Sequence, residues 1–214
     1  MGENYPIERI RDAFTFLMWQ YDFFLLDLDN TLYDEKQYLY PVYQAISKRM
    51  AKAYSLNETE MTDFFLDTFE KEGRGSLFNK LCEQFHIPEQ EISGMLITMR
   101  EIILVEKIQL NPVGKLVLDL LVEERKKIFI VTNGNVAQQK NKVSLIDWGE
   151  SFSYLNFVYA NLYQSKPNRA SFDFLQKEFS VLPEKTIMIG DSQTDEEFAK
   201  NSGIQYVPVQ MFSM

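Results

Sequence analysis

A chain of 214 residues with 45% hydrophobic and 25% charged positions has enough apolar mass for one sizeable domain, or for one domain carrying a smaller inserted one. Its formal net charge of −9 argues against general binding to nucleic acid or to an anionic membrane, because both need basic surface, but leaves room for a small anionic substrate held by a local cation. The single cysteine, Cys82, excludes an internal disulfide and fits a reducing, cytoplasmic setting.

Residues 1–22 carry Glu, Arg and Asp where a secretory leader needs an apolar run, and Pro6 breaks the lipidation pattern after Met1-Gly2. No apolar stretch approaches the length of a membrane span. Ile7, Ile10, Phe14, Leu17 and Met18 recur at helical spacing and predict an amphipathic helix over 6–19, packed on the core or forming a dimer contact. The apolar run Phe23–Leu28, bounded by Asp, reads as a buried strand.

From about Glu35 to Asn111 the periodicity is helical only, and nothing reads as a strand. Val42, Ile46, Met50 and Ala53 form one stripe, with Pro41 in the first turn. Asn57 and Glu60 resemble a capping box opening a helix with Met61, Phe64, Phe65 and Phe69. The turn Gly73–Ser76 ends it. Leu77, Leu81, Cys82 and Phe85 form the next stripe, and Pro88 opens a longer one with Ile92, Met95, Leu96, Met99 and Ile103.

After Pro112 helices and strands alternate. A helix with Val113, Leu116, Val117, Leu120 and Leu121 leads to KIFIVTNG; helices over 136–146 and 170–179 lead to NFVYAN and TIMIGD; a last one leads to IQYVPV. Short apolar strands alternating with helices mean a parallel sheet covered on both faces. The fold class is therefore α/β: a Rossmann-like doubly wound parallel sheet of five main strands, residues 1–34 and 112–214, interrupted by an all-helical insert over 35–111.

Ligands of an open parallel sheet bind outside the carboxyl ends of its strands. Here those ends read Asp27-Leu28-Asp29-Asn30-Thr31, Thr132-Asn133-Gly134 and Gly190-Asp191-Ser192. Asp27 and Asp29 share one strand face, and Asp191 joins them if its strand is a neighbour. Three carboxylates in one crevice call for a hard divalent cation such as Mg²⁺. Lys166, in a loop running into a helix, adds the cation that a bound phosphate would need.

In order along the chain, Asp27-x-Asp29-x-Thr31, Thr132, Lys166 and Gly190-Asp191-x-x-x-Asp195 resemble the four motifs of the haloacid dehalogenase superfamily, in its phosphatase branch. The resemblance implies that Asp27 is the nucleophile forming an aspartyl-phosphate and that Asp29 is the general acid, then the base. It implies that Thr132 and the backbone at Asn133 and Gly134 hold phosphoryl oxygens, and that Lys166 neutralises charge. It further implies Mg²⁺ bound by Asp27, Asp191 and the backbone carbonyl of Asp29, with Asp195 and Ser192 around this site. A carboxylate meeting a phosphate dianion at roughly 3.5 Å is repelled by about 9 kcal/mol at an effective dielectric near 20, which explains the need for positive charge.

A halide leaves without a proton, so an acid at Asp29 favours phosphate ester chemistry. The insert is similar to the cap found after the first motif in this family, and with residues 32–40 it loosely resembles that of pyrimidine nucleotidase-like members. The implied partner is a small-molecule phosphate ester, either a nucleoside monophosphate or a sugar or glycolate phosphate, with the protein a monomer or homodimer. A sugar-phosphate phosphotransferase or mutase, and a non-catalytic interaction protein on the same fold, are the alternatives. In the insert, Arg74 is a candidate substrate contact or a plain surface turn residue. Phe64, Phe65 and Phe69 are candidate core or a base-stacking surface, and His86 is a helix-end residue.

Overall fold

The computed structural model describes residues 5–212, the side chains of residues 5–10 and 13 excepted; Met1-Gly2 and the side chains of Ile7 and Ile10 lie outside the described residues. In chain order the elements are α1 (Tyr5–Gln20), β1 (Phe23–Leu26), α2 (Lys36–Tyr54), α3 (Glu58–Glu72), α4 (Leu77–Gln84), α5 (Ile92–Glu101), β2 (Ile108–Gln109), α6 (Pro112–Glu123), β3 (Lys127–Thr132) and α7 (Val136–Leu145). Then follow β4 (Ile146–Asp147), β5 (Leu155–Tyr159), α8 (Ala170–Phe179), β6 (Thr186–Gly190), α9 (Gln193–Ser202) and β7 (Gln205–Pro208). The chain separates into two compact units: Met1–Asp34 with Ile108–Gln139 and Ile146–Met214, and Glu35–Lys107 with Lys140–Leu145.

The larger unit is an α/β fold around a five-stranded parallel sheet in the order β5-β3-β1-β6-β7. β1 is central because Phe24, Leu25 and Leu26 are buried on both faces, and its register sets Leu26 beside Ile130 of β3 and Ile189 of β6. The chain winds outward from β1 through β3 to β5, then returns to add β6 and β7 on the other side. The sheet's topological switch point therefore lies at the end of β1. Leu25, Phe129, Val131, Val158 and Met188 share one core with Phe172 and Leu175 of α8 and Phe198 of α9. α1 packs against α6, and its fully buried Phe14 meets Phe212 at 4.6 Å between ring centroids, so this helix belongs to the core of the same chain.

Two close approaches fix the loop after β1. The Asn111 side chain donates to Thr31 O at 3.0 Å and its backbone N–H to Leu32 O at 2.9 Å. At Gly114 a Cβ would fall 2.6 Å from Leu32 O, so only glycine lets α6 lie against that backbone. This tilts the buried face of α6 toward Gly114, Val117, Leu118 and Leu121; Val113 and Leu116, expected in the stripe, are only half-buried.

The smaller unit is built from α2, α3, α4 and α5. Tyr43 stacks on Phe65 at 4.9 Å and meets Phe69 at 5.9 Å, while Phe64 packs edge-on to Phe85, so the aromatics serve the interior of this unit. Glu35, buried, accepts from Lys142 Nζ at 2.6 Å and from Arg74 Nη1 at 2.7 Å; this ion pair is what the structure gives Arg74. Cys82 is buried and His86 is exposed after α4.

Several expectations need correction. Residues 108–111 belong with the sheet unit, because Ile108 pairs with Ile146 in a short parallel bridge, which also supplies a strand where none was read. Residues 140–145 belong with the helical unit, where Asn141 donates to Ile102 O and Lys107 to Ser144 O. α2 starts at Lys36, so Pro41 lies inside the helix rather than in its first turn; buried Tyr38, Leu39 and Val42 carry the helix past the lost hydrogen bond. Ala53 is exposed and Ala51 buried. A 3-10 turn, Glu89–Glu91, precedes α5, which ends at Glu101 and leaves Ile103 exposed.

Candidate active site

Everything in this site belongs to the sheet unit. Asp27 immediately follows β1, and its N–H donates to Ile189 O at 2.9 Å, so the sheet's own ladder aims it. Because β6 neighbours β1, Asp191 arrives beside it. Carboxylate oxygens of Asp27, Asp191 and Asp195 lie within 4.8 Å of one another. Thr31 Oγ1 donates to Asp191 Oδ1 at 3.4 Å.

Lys166 Nζ sits buried among these acids. It donates to Asp27 Oδ1 at 2.6 Å, to Asp195 Oδ1 at 2.6 Å and to Val131 O at 2.7 Å, using all three of its protons. Asp195 also anchors the following helix: its Oδ2 accepts from Ser192 N and Oγ, closing a capping box at the start of α9. Gly190 is required by this arrangement, because a Cβ there would lie 2.5 Å from Asp195 Cγ.

Burial pushes the Asp27 carboxyl up to about 7; Lys166 opposes this, while Asp195 and Asp29 add to it. Burial alone would lower Lys166, but Asp27 and Asp195 outweigh it and hold the ammonium above its ordinary value. Asp191 is also raised, first by burial and then by Asp195. The cluster thus carries more negative charge than one lysine neutralises. Buried carboxylates with excess charge are a donor set suited to a hard divalent cation such as Mg²⁺.

Asp29 stands apart from that cluster. Its Oδ1 accepts from Tyr33 Oη at 2.5 Å and its Oδ2 from Gln139 Nε2 at 3.0 Å. Gln139 Nε2 also donates to Asn133 O at 2.5 Å. The Asn133 side chain brackets the Lys166 backbone, donating to its carbonyl at 2.9 Å and accepting from its N–H at 2.8 Å. Thr132, buried, ends β3. The Gly134 N–H, expected to hold a phosphoryl oxygen, already donates to Asn161 Oδ1 at 2.9 Å. The structure thus brings Asp27, Lys166, Asp191 and Asp195 together at one sheet edge. Sequence reasoning missed Tyr33, Gln139 and Asn161. Tyr33 had a visible signal, four residues after Asp29 on the same loop; Gln139 and Asn161 had none.

The fold and site define an α/β protein with an acidic, lysine-bearing cluster at the carboxyl edge of a parallel sheet. The sequence pattern of the haloacid dehalogenase-like hydrolases matches residues 24–209, and the chain belongs to that family. No curated protein matches the chain in sequence. Among solved structures, the fold is similar to a hydrolase of this family from Deinococcus radiodurans with bound phosphate and sodium, at 17% identity and TM-score 0.57, covering 88% of this chain and 80% of that one. It is similar to a phosphatase of the family from Thermococcus onnurineus, at 21% identity and TM-score 0.56, covering 86% and 83%. It is also similar to L-2-haloacid dehalogenase from Xanthobacter autotrophicus, at 15% identity and TM-score 0.51, covering 87% and 76%. At these identities the likeness defines the fold. No helix among the described residues is long and apolar enough to cross a membrane.

Proposed function

We propose that this hydrolase is a Mg²⁺-dependent phosphomonoesterase acting through an aspartyl-phosphate on Asp27. The observation that carries the reading is the Lys166 ammonium, buried 2.6 Å from both Asp27 and Asp195 beside Asp191. With a divalent cation held by these carboxylates, such a site would suit a multiply charged anion, and the phosphate bound by the Deinococcus protein supports the same reading. Asp27, Asp191 and the Asp29 carbonyl would hold Mg²⁺, which would supply the positive charge that a carboxylate needs to approach a phosphate dianion.

In the first step an Asp27 carboxylate oxygen bonds to phosphorus as the ester P–O bond breaks, and Asp29 gives its proton to the leaving oxygen. In the second step water bonds to phosphorus, Asp29 takes its proton, and the Asp27–phosphorus bond breaks. Lys166 balances charge on Asp27, and Asn133 fixes the Lys166 backbone. Thr132 and the Asn133 amide receive the phosphoryl oxygens. The Asp29 carboxyl separates this reading from haloacid chemistry, where a halide leaves unprotonated. The helical unit is proposed as the cap, and the substrate class as a small soluble ester: a nucleoside monophosphate, or a sugar or glycolate phosphate. The buried Cys82 fits a cytoplasmic enzyme. Phosphate release from a panel of such esters, with Mg²⁺ and with chelator, tests the reading. Metal-dependent release supports it, and absence of release from every ester refutes it.

A further inference from the structure

We infer that Tyr33 and Gln139 form a two-point clamp that orients the Asp29 carboxyl, making Gln139 a positioning residue for proton transfer. The inference rests on the phosphatase reading above. Tyr33 is fully buried and Gln139 nearly so, yet each sends a donor to a different oxygen of the half-buried Asp29, at 2.5 and 3.0 Å. A carboxylate oxygen has two lone-pair directions. The clamp occupies one on each oxygen, which fixes the plane of the carboxyl.

Three features point to this role. Gln139 bridges two strand ends, because the same Nε2 that bonds Asp29 after β1 also bonds Asn133 O after β3. Gly134 supplies the space: its φ is +125°, and a Cβ there would fall 2.9 Å from Gln139 Nε2. Gln139 Oε1 is buried without a hydrogen-bond partner. A half-satisfied buried amide costs stability that an apolar side chain of the same length would not. Its two N–H bonds at the strand ends are therefore the reason for it.

The test uses Gln139→Met, which keeps length and removes both donors, beside Tyr33→Phe. Two esters are compared: an alkyl phosphate, whose alkoxide needs a proton to leave, and p-nitrophenyl phosphate, whose phenolate does not. With misaligned Asp29, kcat/KM for the alkyl ester falls about 10²-fold, while that for p-nitrophenyl phosphate falls no more than about 3-fold. Equal falls on both esters, or no fall on either, overturn the inference. Crystal structures of the wild type and Gln139→Met give an arm independent of turnover: more than one Asp29 orientation in the variant supports the clamp, and a single unchanged orientation overturns it. A wild type that hydrolyses neither these two esters nor any ester of the panel refutes the phosphatase reading, and the crystal structures then decide the clamp alone.

Discussion

Replacing Lys166 with methionine keeps most of the buried volume and removes one charge. The Nζ links Asp27 Oδ1 and Asp195 Oδ1, each at 2.6 Å, and caps Val131 O. Without it, carboxylates whose oxygens lie within 4.8 Å face each other uncompensated. At that separation and an effective dielectric near 20, they repel by about 3.5 kcal/mol. Breaking a buried ion pair from one side costs about 3–5 kcal/mol, so the two figures agree. The loss must also depend on pH. Asp27 titrates at about 7 in the folded protein against an ordinary aspartate value of 3.8. A carboxyl raised on folding stabilises the native state while protonated, below its unfolded value, and that stability is lost as pH rises through about 7. With Lys166 no longer lowering it, the Asp27 carboxyl rises further: at pH 5 it is protonated with or without the lysine, whereas at pH 8 the lysine-free site must take up a proton, at a cost, to relieve its repulsion. Urea unfolding in chelator at the two pH values should give a deficit of about 3–5 kcal/mol at pH 8 and clearly less at pH 5. Equal deficits at both pH values, or one no larger than a surface substitution's roughly 0.5 kcal/mol at pH 8, would refute this electrostatic account.

Gly190→Ala should destabilise by about 1–3 kcal/mol in the same assay, since its Cβ meets Asp195 at 2.5 Å; an unchanged midpoint would mean that Asp195 is not what requires glycine there. Phe14→Ala should cost about 3–5 kcal/mol, because the ring is fully buried against Phe212; a loss near zero would detach α1 from the core. Mg²⁺ binding, followed by calorimetry, should tighten as pH rises from 6 to 8 and release protons at the lower pH, because the Asp27 carboxyl at about 7 must ionise to bind. Affinity independent of pH over that range would contradict the raised Asp27.

Strand ends and their order were legible because buried parallel strands are short apolar runs that stop at polar residues, as FFLL before Asp27 and TIMIG before Asp191 do. Adjacency was legible only as a condition: that β1 and β6 are neighbours comes from the sheet, and it is what joins Asp191 to Asp27. Local periodicity misplaced what long-range contacts decide. The extra strand Ile108–Gln109 exists through its pairing with Ile146–Asp147, 38 positions away, which no two-residue pattern announces. Ala53 yielded to Ala51, and Val113 and Leu116 yielded to Gly114 and Leu118, the latter because the Leu32 backbone lies against Gly114. Gln139 reads as an ordinary polar helix residue, and only its place beside Asp29 and Asn133 gives it meaning.

The nucleophile is the centre of the account. The most direct measurement is intact-protein mass after acid quench during turnover of a phosphate ester with Mg²⁺, for the wild type and for Asp27→Asn. We predict one added phosphoryl group on the wild type, mapped to Asp27, with none on the variant and no phosphate release from it. Turnover by Asp27→Asn at the wild-type rate, or a phosphoryl group on another residue, would contradict the account.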